Sequence, residues 1–151
     1  MTPNAIRWEV PPLSTASVQA AIHYRDGIAA LVSGMANADR LLSAAAALDP
    51  GFVLAYVGLD VCMVASGGRY EPKRPEYGQI GRGERQHAEV VHTVLCGDYV
   101  HAVDLRREHL MEFPGDLLIV WLPMLQRAEG QLTVSPTSSA SETSVIPNRQ
   151  M

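Results

Sequence analysis

The chain has almost no lysine. Lys73 is the single one in 151 residues, and the 12 Lys and Arg together are outnumbered by 16 Asp and Glu, a net charge of −4. No basic stripe or block of like charge runs along it, so the electrostatic footprint of a nucleic-acid binder is missing. The use of Arg in place of Lys reads as the coding bias of a GC-rich, bacterial genome. Cysteine is scarce too. Cys62 and Cys96 stand alone, outside any C-x-x-C pair, and each is expected to be a reduced, buried thiol in a helical apolar setting.

Aromatics make up only 6% of the chain. The apolar mass is mostly Ala, Val and Leu, as expected where helices pack closely. The longest apolar stretch, Phe52 to Ala65, is interrupted by Asp60 and falls short of the roughly 20 residues that a bilayer needs. The opening MTPNAIRWEVPP lacks a basic region followed by an apolar one, so no signal peptide is expected. These absences point to a soluble, cytoplasmic protein of one domain.

What is present is a repeated frame. Gly97 to Pro114 reads GDYVHAVDLRREHLMEFP, and Gly34 to Pro50 reads GMANADRLLSAAAALDP. Each has a Gly before the helix, a small Ala within it and a closing Pro. Ala38 and Ala102 each precede that Pro by 12 residues, and the two prolines lie 64 apart. That is close to two periods of a 34-residue helix-turn-helix repeat.

Residues 1–13 form an irregular arm, since Pro11-Pro12 forbids a helix there and Trp8 with Val10 can tack the arm onto a helix face. Ser14 or Ser17 can cap a first helix, Val18 to Val32. Gly27 weakens its middle but would let a neighbouring helix come close. A second helix is expected from Met35 to Leu48, closed by Asp49-Pro50-Gly51. A third, Phe52 to Ala65, is apolar on nearly every side and expects neighbours on both flanks. Residues 66–83, rich in Gly and Pro, read as a loop that supplies no such neighbour. Three more helices follow: Gly83 or Glu84 to Cys96, Tyr99 to Phe113, and Asp116 to about Arg127, the last kinked or stopped early by Pro123. Residues 128–151 are polar and low in complexity, and are expected to be a disordered tail.

Three stretches carry a resemblance: PPLSTAS in the arm, ALDPGFVLAYVGLDV across the first junction, and GERQHAEVVHTVLCGDYVHAVDLRREHLMEFPGDLL further on. They resemble the family of tetratricopeptide repeat protein 38 and its bacterial relatives, over roughly Val10 to Trp121. Ala38, Leu42 and Ala45 match the small and apolar positions of that repeat's second helix. In the later copy Ala102 matches, but Arg106 and His109 do not. The resemblance implies a tetratricopeptide-like antiparallel helical repeat, an α-α superhelix, with no established catalytic residues. Family members are longer and usually have a helix where this chain has residues 66–83. Nothing in the family matches the tail. These departures predict a truncated relative.

Glu84-x-x-His87 and Glu89-x-x-His92 have the spacing of a carboxylate-bridged di-iron motif, which needs its two copies on different helices. Here both lie on one helix, about 140° apart at 100° per residue, so a solvated or capping role is expected. His101, Glu108, His109 and Glu112 make a poor closed metal site. Cys96 has His92 one turn away but no evident oxyanion donor. The glycine pairs lack the strand-then-helix setting of a phosphate loop.

The expected fold is therefore all-α, an antiparallel helical-repeat array of five or six helices over residues 14–127. The expected function is a non-catalytic scaffold for a protein or peptide partner, with Tyr24, Arg25 and Tyr56 on the binding surface and no cofactor or metal. The alternatives are a truncated fragment that self-associates through its third helix, and a metal-dependent, enzyme-associated domain using the Glu84/His87/Glu89/His92 helix.

Overall fold

A computed structural model of the protein describes residues 10–72 and 77–125, together with positions 127 and 130. The expected arm up to residue 9, including Trp8, and nearly all of the expected tail lie outside the described residues. Six helices and no strand occur among the described residues: α1 Val18–Val32, α2 Ala38–Leu48, α3 Val53–Ala65, α4 Arg82–Leu95, α5 Tyr99–Glu112 and α6 Leu117–Trp121. The all-α expectation holds.

The helix boundaries follow from local chemistry. Ser17 caps α1, its side chain accepting from the Ala20 amide at 3.0 Å. Gly34 and Gly97 adopt the left-handed conformation, at φ +77° and +89°. After each, the next amide reaches back to close a Schellman turn: Met35 to the Ala30 carbonyl at 2.8 Å, and Asp98 to that of Thr93 at 3.1 Å. The glycines of the repeated frame thus end one helix before the next begins. Met35 is committed to that turn, which is why α2 starts at Ala38 and not at Met35. Asp98 then caps α5 by accepting from the His101 amide. At the far end, α6 stops at Trp121, because Leu122 precedes Pro123 and leaves helical geometry. Between α3 and α4 no helix occurs among the described residues.

Consecutive helices pack on one another, and α1 also touches α3 while α4 touches α6. One further contact departs from a simple array: α1 packs against α6. The centre of the first three helices is Leu42, which is fully buried. It fits where α1 and α3 each present a glycine. A Cβ on Gly27 would lie 2.8 Å from Leu42 Cγ, and one on Gly58 3.1 Å from its Cδ1. Gly27 does let a helix come close, and that helix is α2. On α3, Leu54, Ala55, Gly58, Val61 and Cys62 are buried. The neighbour that residues 66–83 do not provide is α4, which packs on α3 directly.

Cys62 is buried, as expected, and burial with the nearby Asp39 raises its thiol pKa. Cys96 is not buried. It is the C-cap of α4 and lies exposed, because the Gly97 turn carries the chain to the surface there.

Candidate functional site

Two features stand out, and the first is a buried polar cluster. On α4 the buried stripe runs Glu84, His87, Val91, Val94, at the three- and four-residue spacing of a helix. On α5 it runs Ala102, His109, with Phe113 following as the C-cap. Asp116, N-cap residue of α6, is buried as well. Glu84, His87 and His109 are each only 1% exposed, which for such groups requires partners.

Glu84 has structural partners only. Its carboxylate accepts from the Gly81 amide at 3.3 Å, and from the amide and hydroxyl of Ser14 at 3.0 and 3.2 Å. It therefore caps its own helix and ties the arm to α4. The capping role expected for it holds. Glu89 is exposed, and His92 faces another part of the molecule.

His87, His109 and Asp116 come together from three elements. One oxygen, Asp116 Oδ2, lies 2.8 Å from His87 Nδ1 and 2.7 Å from His109 Nε2. The other nitrogen of His109, Nδ1, lies 2.9 Å from Gln86 Oε1. The Gln86 amide is oriented by its nitrogen, which donates to Glu112 at 3.2 Å, since a carboxylate can only accept. Arg82 also pairs with Glu112, and the bonds from Arg82 and Gln86 lower the Glu112 pKa. Both nitrogens of His109 thus face acceptors. Burial alone would raise the Asp116 pKa, but the two histidines outweigh it and hold the carboxyl well below the usual aspartate range. His87 Nε2 is buried with no hydrogen-bond partner among the described residues. His87 and Asp116 line a cavity of about 320 Å³, with Leu13, Tyr24, Arg25 and Ile28 around it.

The second feature is a groove of about 550 Å³ between α3 and α4, lined by Val53, Tyr56, Val57, Tyr70, Tyr77 and His92 among others. Its rim is wired by Tyr70, whose hydroxyl lies 2.8 Å from His92 Nδ1, while His92 Nε2 lies 3.6 Å from Cys96 Sγ. Burial raises the Tyr70 pKa, and it pushes the Tyr77 pKa up to about 12. Arg85 sits over the Tyr77 ring, 5.6 Å from its centroid.

The three residues expected on a binding surface are not all brought together: Tyr24 and Arg25 line the smaller cavity and Tyr56 the larger groove. Tyr24 is a core residue, 7% exposed and packed on Phe52 with ring centroids 5.2 Å apart. Its ring turns inward because the buried face of α1 runs through Ala20, Tyr24, Gly27, Ile28 and Leu31. Arg25 is exposed beside the smaller cavity, and Tyr56, 45% exposed, lines the larger groove. On α5, His101 and Glu108 are exposed and take no part in the buried cluster. The grouping His87/His109/Asp116 escapes a reading of the sequence. Helical spacing puts each histidine on an apolar stripe, but it does not say that the stripes of α4 and α5 meet beside the α6 cap.

No family model, no curated protein and no solved structure matches the chain. No helix among the described residues is long and apolar enough to cross a membrane.

Proposed function

We propose that the chain is a non-catalytic helical-repeat scaffold that docks a segment of a partner protein in the groove between α3 and α4. The observation that carries this reading is the groove's make-up. Tyr56, Tyr70 and Tyr77 converge on an apolar floor that includes Val53, Val57 and Val91. Tyr56 is exposed and Tyr70 and Tyr77 are half-buried, and aromatics over a concave apolar surface are what anchor residues of a partner segment dock against. The packing of α1 on α3 and of α4 on α6, added to the resemblance to the tetratricopeptide repeat protein 38 family, supports a repeat-built module. In that reading the partner is a segment with apolar or aromatic anchors, and no nucleic acid, membrane or cofactor is involved.

The test is selection from a random peptide library on the folded full chain. Enriched peptides carrying apolar or aromatic anchors should lose at least tenfold in affinity with Tyr56→Ala, and keep it with Arg25→Glu. No enrichment over a control helical protein would refute the reading. A loss with Arg25→Glu alone would move the binding surface to the cavity beside α1.

A further inference from the structure

We propose that His87, His109 and Asp116 form a binding site for a single divalent transition-metal ion of the zinc class. The three residues are buried, and one donor atom from each lies within 4.8 Å of the others. They come from α4, α5 and the cap of α6, so an ion there would clamp three elements at once. Two imidazoles and a carboxylate are a donor set that zinc accepts, with an open position for a fourth ligand.

The geometry around the donors points the same way. Gln86 Oε1 fixes the proton of His109 on Nδ1. Without an ion, Nε2 carries a proton of its own and donates to Asp116, 2.7 Å away. An ion between the two would displace that proton and take the Nε2 lone pair and the carboxylate oxygen together. A metal-bound histidine held by an acceptor on its other nitrogen, itself held by a further side chain, is the usual outer support of such sites. His109, Gln86 and Glu112 make that chain here. His87 Nδ1 lies on the same carboxylate oxygen. Metal–donor bonds of roughly 2.0–2.2 Å set tetrahedral donors about 3.3–3.6 Å apart, so each histidine nitrogen would withdraw from Oδ2 by roughly 0.5–0.9 Å, and the two imidazole nitrogens, within 4.8 Å of one another, would close to the same spacing. The cavity lined by His87 and Asp116 offers the ion a way in and a water molecule as fourth ligand. Glu84 is not a ligand, since both its oxygens are engaged by Ser14 and Gly81.

The experiment uses the full chain stripped with a chelator and titrated with Zn²⁺ alone by calorimetry, with the melting temperature followed in parallel. One ion per chain is expected, with Tm rising by about 10 °C at a hundredfold excess over Kd. Asp116→Asn keeps the size of a side chain that makes no capping bond to α6, and should weaken Zn²⁺ binding at least tenfold. Cys96→Ser and His92→Ala should leave it unchanged. Co²⁺ bound to the wild-type chain reports its ligands independently of any variant's stability, and no thiolate charge-transfer band should appear. Failure of the wild-type chain to bind Zn²⁺ stoichiometrically would overturn the proposal. So would a thiolate band, or binding abolished by Cys96→Ser and indifferent to Asp116→Asn.

Discussion

Leu42 and the two glycines around it make a packing unit whose energetics can be worked out. Leu42 is fully buried, so Leu42→Ala loses its transfer energy and leaves a gap that Gly27 and Gly58 cannot fill. The cost should fall at about 3–4 kcal/mol, within the range for buried leucines. For a domain of this size that lowers Tm by roughly 10–20 °C. Gly27→Ala brings two opposed effects. The helix gains about 1 kcal/mol in propensity. Against this, the new Cβ would lie 2.8 and 2.9 Å from Leu42 Cγ and Cδ2, and 3.3 Å from Leu41 Cβ, an overpacking that costs about 1–3 kcal/mol. Alone, the substitution should be neutral or destabilise by up to about 2 kcal/mol. In the Leu42→Ala background the two closest atoms are gone and only the 3.3 Å approach to Leu41 Cβ is left, so the same substitution should stabilise by up to about 1 kcal/mol. Urea denaturation of the four chains, followed by circular dichroism, measures the cycle. A coupling of about 1–3 kcal/mol is expected. Additivity within about 0.5 kcal/mol would show that Leu42 does not occupy the space beside Gly27, and the packing of α1 on α2 would have to be drawn again.

Two further predictions concern titration and reactivity. The Tyr77 pKa is pushed up to about 12 by burial first and by Glu89 next, and that of Tyr24 is raised well above its ordinary value of 10.0 chiefly by burial. A raised tyrosine contributes stability that is whole below about pH 10 and is lost as pH climbs towards 12. Tm should therefore fall across that window, and Tyr77→Phe should flatten the fall. Equal slopes in the two chains would refute the assignment. With a thiol reagent at neutral pH, one fast modification at Cys96 is expected, and a second at Cys62 only on unfolding. Two fast modifications would mean that Cys62 is not covered as described.

Much of the helical frame was legible in the sequence. Gly34 and Gly97 marked helix ends because only glycine takes the left-handed turn cheaply, and Pro123 marked the end of α6 because it excludes helical geometry at Leu122. The start of α2 was misplaced by three residues, since spacing cannot show that Met35 is spent closing the previous turn. Tyr24 was placed on a surface, whereas its spacing with Ala20, Ile28 and Leu31 puts it on the buried face of α1. The buried cluster was the least legible part. Arg106 and His109 register in the sequence as departures from the repeat pattern, and both engage the region of α6. Arg106 reaches the Ile119 carbonyl at 3.4 Å, and His109 reaches Asp116. What they reach is decided by three helices meeting, and no local rule encodes that.

The contact of α1 with α6 bears on how the molecule comes apart. In a linear solenoid each unit leans on its neighbours alone, so an end can fray while the middle stays ordered. Here the first helix is held by a segment more than 80 residues further along, and peeling it away strips α6 of a partner. Pulled from its ends, such a chain should yield in one large step. Its slowest-exchanging amides should be spread over α1, α2 and α4 together, and should not fade gradually towards either end.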